Sequence, residues 1–90
     1  MIQELTLDAP VYYEADYMEF VGALDGTRQA FRVNANVFRE LLQVRRIGEP
    51  CLKTFFEAYP EHFLFVAARK LLEQGPSSAP IYLTLADLLR

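Results

Sequence analysis

The run from Pro60 to Gly75 constrains this chain most, because it carries a start, a stop and an apolar stripe wider than one contact needs. Proline's fixed φ and missing N–H are both tolerated in the first turn of a helix, where that donor has no intrahelical partner. Glu61 sets a negative charge at the positive end of the helix dipole, and Gly75-Pro76 supplies the stop. The spacing predicts a helix of about four turns. Phe63, Val66, Ala67 and Leu71 recur on one side of it, with Leu64, Ala68 and Leu72 as a second row, so contacts on more than one side are expected. Arg69 and Glu73 stand four apart on the wet side, a pair worth only about 0.3–0.5 kcal/mol when exposed. Phe65 lies nearest that polar side and is expected to be partly exposed.

The rest of the chain has to cover this helix. Ninety residues make one domain, 1–90, which at this size buries roughly 60% of its unfolded surface, enough for a modest core and too little for a deep cleft. A hydrophobic content of 52%, with 13% aromatic, excludes a disordered chain.

Taken in order, residues 2–7 (Ile2, Leu5, Leu7) read as a first strand ended by Asp8-Ala9-Pro10. Tyr17 to Leu24 alternates Met18, Phe20, Gly22 and Leu24 against Tyr17, Glu19, Val21 and Ala23, which is the period of a strand. Asp25-Gly26 accepts the positive φ of a tight hairpin turn. Thr27 to Val33 returns with Phe31 and Val33 inward and Arg28 and Arg32 outward. Asn34 can cap a helix from Ala35 to about Arg46 with Val37, Phe38, Leu41 and Leu42 as its stripe, closed by Gly48. Pro50 opens a short helix to Ala58, which either kinks or breaks at Tyr59-Pro60. After the loop 75–80, Ile81, Leu83 and Leu85 alternate as a last strand, and Thr84 with Asp87 can cap a final turn.

The expected fold is therefore α+β in two layers: a small, mainly antiparallel sheet, in the order strand-strand-strand-helix-helix-strand, with helices packed on one face. The other face is left uncovered, and Tyr17, Val21 and Tyr82 are expected on it beside Arg32.

Several segments resemble the domain-of-unknown-function family numbered 1488, small proteins of bacteria. The similarity spans about residues 17–88: Met18-Glu19-Phe20 before Asp25-Gly26, the strand ending Arg32-Val33-Asn34, Phe56-Glu57-Ala58 with Ala68-Arg69-Lys70 downstream, and Thr84 with Asp87-Leu88. The family often has Asn-Arg where this chain has Tyr59-Pro60, and often a cysteine where it has Phe31. The resemblance implies a compact α+β domain of a bacterial cytoplasm, and it brings no activity, ligand or catalytic residue.

Charge is −3 overall, which argues against a nucleic-acid partner. Residues 1–26 hold six acids and no Lys or Arg, while the nine bases all follow. Either the two halves attract one another in the fold or an acidic face awaits a basic partner. One cysteine cannot form an intrachain disulfide, the N-terminus lacks a signal-peptide pattern, and the apolar run Phe63 to Ala68 is too short to span a bilayer. A cytoplasmic protein without a membrane partner is expected.

Candidate chemistry is sparse. Cys51 follows Pro50 at a helix start, where a dipole can lower a thiol pKa, but a lone cysteine without a histidine partner reads better as a small core residue. His62 could act as an acid or base, yet Glu57 and Glu61 beside it read as solvated helix residues. Arg39, Arg45, Arg46, Lys53, Arg69 and Lys70 could form a basic helix surface for a small molecule or nucleic acid, though most have structural reasons to be where they are. No catalytic residue, metal ligand or cofactor is implied. The favoured expectation is a non-catalytic interaction or regulatory module whose partner is another protein or a second copy, acting through Tyr17, Val21, Arg32 and Tyr82 or an edge strand.

Overall fold

Two residues of positive φ, Asp25 at 50° and Gly26 at 82°, turn the chain back on itself and set the register of the sheet. They join β3 (Tyr17–Leu24) to β4 (Thr27–Asn34), paired antiparallel along their whole length from Leu24 opposite Thr27 to Tyr17 opposite Asn34. The computed structural model describes residues 5–8, 10–45 and 52–89. Before the hairpin come β1 (Thr6–Leu7) and β2 (Tyr12–Tyr13), and after it α1 (Ala35–Arg45), α2 (Leu52–Ala58), α3 (Pro60–Gln74), β5 (Ile81–Tyr82) and α4 (Leu85–Leu89). The α+β class follows directly.

β1 and β2 both pair with the same edge of β3, Thr6 opposite Ala23 and Tyr12 opposite Glu19, so they form one edge strand with an interruption. Pro10, which has no N–H to give to a ladder, lies in that interruption. The expected first strand is thus shorter than residues 2–7, its opening residues lying outside the described ones, and the second piece at Tyr12–Tyr13 was not anticipated. On the far side β5 pairs with β4 in parallel, Phe31 opposite Ile81 and Arg32 opposite Tyr82. Parallel neighbours need a long crossover, and α1, α2 and α3 supply it. The sheet is mixed, with one parallel pairing.

Alternation puts Met18, Phe20, Leu24, Phe31 and Val33 on the inner face, all buried. Gly22 shares that face because Leu5 packs where its Cβ would be, with a side-chain atom only 2.3 Å from the ideal position. The aromatic rings then step from sheet to helices: Phe20 on Phe31 at 5.4 Å, Phe20 on Phe56 at 5.4 Å, Phe56 on Phe63 at 5.1 Å and Phe55 on Phe63 at 5.6 Å. Such offset pairs add about 0.5–1.5 kcal/mol each beyond the area they bury.

α3 begins at Pro60 and ends at Gly75, whose N–H donates to the Leu71 carbonyl at φ 81°. Tyr59, at φ −133° and ψ 52°, breaks the chain between α2 and α3, so the junction is a break rather than a kink. Asn34, expected as a cap, ends β4, and the first N–H of α1 at Ala35 donates to the Asp16 carbonyl at 2.8 Å. Arg46, Gly48, Pro50 and Cys51 lie outside the described residues. At the C-terminal end the Leu83 N–H continues the ladder onto the Arg32 carbonyl before Thr84 opens α4, so the last strand is shorter than the alternation through Leu85 suggests. Buried Gln29 ties the preceding loop to the sheet: its Nε2 donates to the Ala79 carbonyl at 3.1 Å, and its Oε1 accepts from the Ser77 N–H at 2.7 Å.

Candidate functional site

The helices cover the inner face, and the outer face of the sheet is made by the other parity of each strand: Tyr17, Glu19, Val21 and Ala23 of β3, and Arg28, Ala30, Arg32 and Asn34 of β4. Registers on both sides of the hairpin align four of these side chains in one row. Tyr12 stands opposite Glu19, Glu19 opposite Arg32, and Arg32 opposite Tyr82, so the row Tyr12–Glu19–Arg32–Tyr82 crosses the width of the sheet.

Arg32 is the centre of this row. Its Nε and Nη2 donate to one Glu19 carboxylate oxygen at 3.0 and 2.6 Å, and its Nη1 donates to the Tyr82 hydroxyl at 3.4 Å. The guanidinium also lies 4.1 Å from the Tyr17 ring centroid and 5.8 Å from that of Tyr82, a cation held between two aromatic faces. The Glu19 hydrogen bond holds the Arg32 pKa above its ordinary value despite some loss of water, with Tyr82 adding in the same direction. Arg32 therefore stays charged at every working pH. Tyr12 and Tyr82, at the two ends of the row, are 61% and 48% exposed.

Of the residues expected on this face, Tyr17, Arg32 and Tyr82 meet in one cluster. Val21 shares the face but pairs across to Ala30, and it is half-buried rather than open. Glu19 and Tyr12 were missed as site residues. The parity of β3 already placed Glu19 beside Arg32, whereas Tyr12 had no readable signal because β2 is too short to show a period.

The acidic start of the chain is matched from within: Asp8 pairs with Arg28 and Glu19 with Arg32. Two of the acids in residues 1–26 thus serve the mutual attraction of the two halves. The basic helix residues are dispersed. Arg69 pairs with Glu73 at 3.7 Å and Lys70 with Asp87 at 2.6 Å, while Arg46 lies outside the described residues. Arg39 and Lys53 line a groove of about 460 Å³ whose other walls include Tyr13, Tyr17, Phe38 and Leu52.

His62 is half-buried, with its Nε2 3.0 Å from the Leu88 carbonyl oxygen, a bond that ties α3 to α4. Among the described residues no three His, Cys, Asp or Glu side chains gather as metal ligands, and no helix is long and apolar enough to cross a membrane. Thr84 and Asp87 form the anticipated capping box: the Thr84 N–H and hydroxyl donate to the Asp87 carboxylate at 2.8 and 2.9 Å, and the Asp87 N–H donates back to the Thr84 hydroxyl at 3.3 Å. Compared with family models, with curated proteins and with solved structures, this chain matches none, so its likeness to family 1488 rests on the quoted residues alone.

Proposed function

We propose that this chain is a non-catalytic interaction module of a bacterial cytoplasm, related to family 1488, that receives a protein partner on the outer face of its sheet. The observation behind this reading is the Tyr12–Glu19–Arg32–Tyr82 row, with Tyr17 stacked on Arg32, on the sheet face opposite the one that buries Met18, Phe20, Phe31 and Val33. Tyrosine and arginine dominate the energetic centres of protein interfaces. Here the arginine is already held by Glu19 and two rings, so little side-chain freedom remains to be lost on docking. Because Glu19 and Asp8 neutralise Arg32 and Arg28, the face has no surplus positive charge for phosphates. The partner suited to it is a protein surface offering apolar or aromatic side chains, with carbonyls for the Tyr12 and Tyr82 hydroxyls. Substituting Tyr17→Ser and Tyr82→Ser together tests this: partner binding should fall at least tenfold with the fold intact, and unchanged binding would refute the site.

A second reading, a binder of small anions, is favoured by one feature, the groove that brings Arg39 and Lys53 beside Tyr13 and Phe38. A thermal-shift screen with nucleotides and aromatic carboxylates separates the two, since a ligand of the native state raises its apparent stability. Loss of any such shift in Arg39→Glu/Lys53→Glu would place the ligand in the groove, and no shift with any compound would remove the reading.

A further inference from the structure

The basic side chains of the described residues fall into two groups. Arg28, Arg32, Arg69 and Lys70 each lie against a carboxylate, that of Asp8, Glu19, Glu73 and Asp87 respectively. Arg39 and Lys53 have no carboxylate partner among the described residues, and both line the same groove of about 460 Å³. Their convergence follows from the fold. Leu42 comes three residues after Arg39 and four after Phe38, so the three share one side of α1. The groove is closed by Leu52 and Lys53 at the start of α2 and by Tyr13 of β2, with Lys53 Nζ 5.8 Å from the Tyr13 ring centroid. Phe38 is buried and Tyr13, Leu42 and Leu52 are half-buried, whereas Arg39 and Lys53 are exposed. The floor is therefore apolar and aromatic, the cations stand at the rim, and the volume is that of a small-molecule site. The Glu14 carboxylate also lines the groove, so two cations and one carboxylate leave it one net positive charge.

We propose that this groove takes an aromatic monocarboxylate, its ring on Phe38 and Tyr13 and its carboxylate at Arg39 and Lys53, and that Glu14 sets the preference for a single charge. The proposal rests on the small-anion reading above and narrows it to one class of ligand. Arg39 and Lys53 offer donors for charge-assisted hydrogen bonds to a carboxylate, and neither has to leave a partner carboxylate to make them. Phe38 and Tyr13 offer rings against which a flat ligand packs in offset or edge contact. Attraction to the net charge of the groove grows in proportion to the ligand's charge, whereas the cost of taking that charge out of water grows as its square. Over a floor of Phe38, Leu42 and Leu52 the cost outweighs the attraction for a dianion such as a phosphate monoester. A neutral aromatic forgoes Arg39 and Lys53 altogether. Glu14→Gln raises the groove to two net positive charges and so moves the preference toward the dianion.

Amide NMR titrations of the full chain at about pH 7.5 test this with three probes of one ring system: 2-naphthoate, 2-naphthyl phosphate and neutral 2-naphthol. The phosphate, with a second pKa of about 6, is then doubly charged. 2-Naphthoate is expected to move the amides of Tyr13, Phe38, Arg39 and Lys53 and to bind tighter than either other probe, by about fivefold over 2-naphthol. Arg39→Gln and Lys53→Gln should each weaken it about two- to fivefold, and Arg69→Gln, on another helix and already paired, should not. Glu14→Gln should close the gap between 2-naphthoate and 2-naphthyl phosphate by about two- to fivefold. The phosphate binding the wild type as tightly as the carboxylate, at the same amides, overturns the ligand class and leaves the small-anion reading standing. No shift at those amides with any probe removes both. Shifts centred on Glu19 and Tyr82, or equal losses in Arg69→Gln and Arg39→Gln, overturn the site, and an unchanged gap in Glu14→Gln overturns the role of Glu14.

Discussion

Asp87 holds the C-terminal helix to the rest of the fold, and its removal should be costly out of proportion to its place near the chain end. One of its carboxylate oxygens accepts from Lys70 Nζ at 2.6 Å, from the Thr84 N–H at 2.8 Å and from the Thr84 hydroxyl at 2.9 Å. Its side chain is 14% exposed and that of Lys70 22%. Asp87→Ala removes the capping box, about 1 kcal/mol, and leaves a half-buried Lys70 without its carboxylate, about 1–2 kcal/mol more. The total of about 2–3 kcal/mol corresponds to a fall in Tm of roughly 8–24 °C for a domain of this size. Asp87→Asn keeps an acceptor for Thr84 and loses only the charge, so it should cost about half as much. Urea unfolding followed by circular dichroism, with Lys70→Met and the double variant completing a cycle, measures both parts. The reasoning fails if Asp87→Ala costs less than about 0.5 kcal/mol, or if the cycle shows no coupling between Asp87 and Lys70. The sign with pH is also set. Burial alone would raise the Asp87 pKa, but the bonds from Lys70 and Thr84 outweigh it and hold the carboxyl below its ordinary value. A lowered folded-state pKa gives stability that is fully present above the unfolded value, near about 3.9, and is lost as pH falls through the folded one. The gap between wild type and Asp87→Ala should therefore be level from pH 7 to about pH 5 and narrow below about pH 4.

Gly22→Ala would place a Cβ against the Leu5 side chain and should cost about 1–2 kcal/mol by overpacking, partly recovered in Gly22→Ala/Leu5→Ala; equal stability of the single variant and wild type in urea would contradict the close approach. Gln29→Leu leaves the Ser77 N–H and the Ala79 carbonyl without their partner, at about 1–3 kcal/mol. Hydrogen exchange at the Ser77 amide should then speed up, and unchanged protection there would show that Gln29 does not anchor the loop. Phe56→Ala, which empties the centre of the ring ladder between Phe20 and Phe63, should cost about 3–5 kcal/mol and shift the urea midpoint accordingly; a loss under about 1 kcal/mol would deny the ladder its place in the core.

The parts of this fold that were legible in the sequence are those set by local chemistry. Asp25-Gly26 and the strict alternation on either side specify the hairpin, and through it which side chains share a face; that is why Tyr17 and Arg32 could be placed together. Pro60, Gly75 and the apolar spacing specify α3, and Phe65 fell on the wet side as its position on the helix requires. The unread parts depend on distant segments. β2 exists because β3 offers it an edge, not because two tyrosines after a proline have a period of their own, and Tyr12 was lost with it. The parallel direction of β5 is decided by where the three-helix crossover returns. Leu72 belongs by spacing to an apolar row with Leu64 and Ala68, but the packing of α3 stops short of it and leaves it in water. Gln29 has the inward parity of β4, yet only the return of the loop 75–80 explains why an amide is buried there.

The most direct measurement is a comparative capture from lysate of the source cells with three immobilised baits: the wild type, Tyr17→Ser/Tyr82→Ser, and Phe65→Glu/Leu72→Glu. Each eluate is quantified by mass spectrometry after all three baits are shown to be folded. An outer sheet face that docks a protein gives a partner recovered by the wild type and by the α3 variant and lost, at least tenfold, from the tyrosine variant. Equal recovery by all three baits, or loss only with the α3 variant, would contradict the role given to Tyr17, Arg32 and Tyr82.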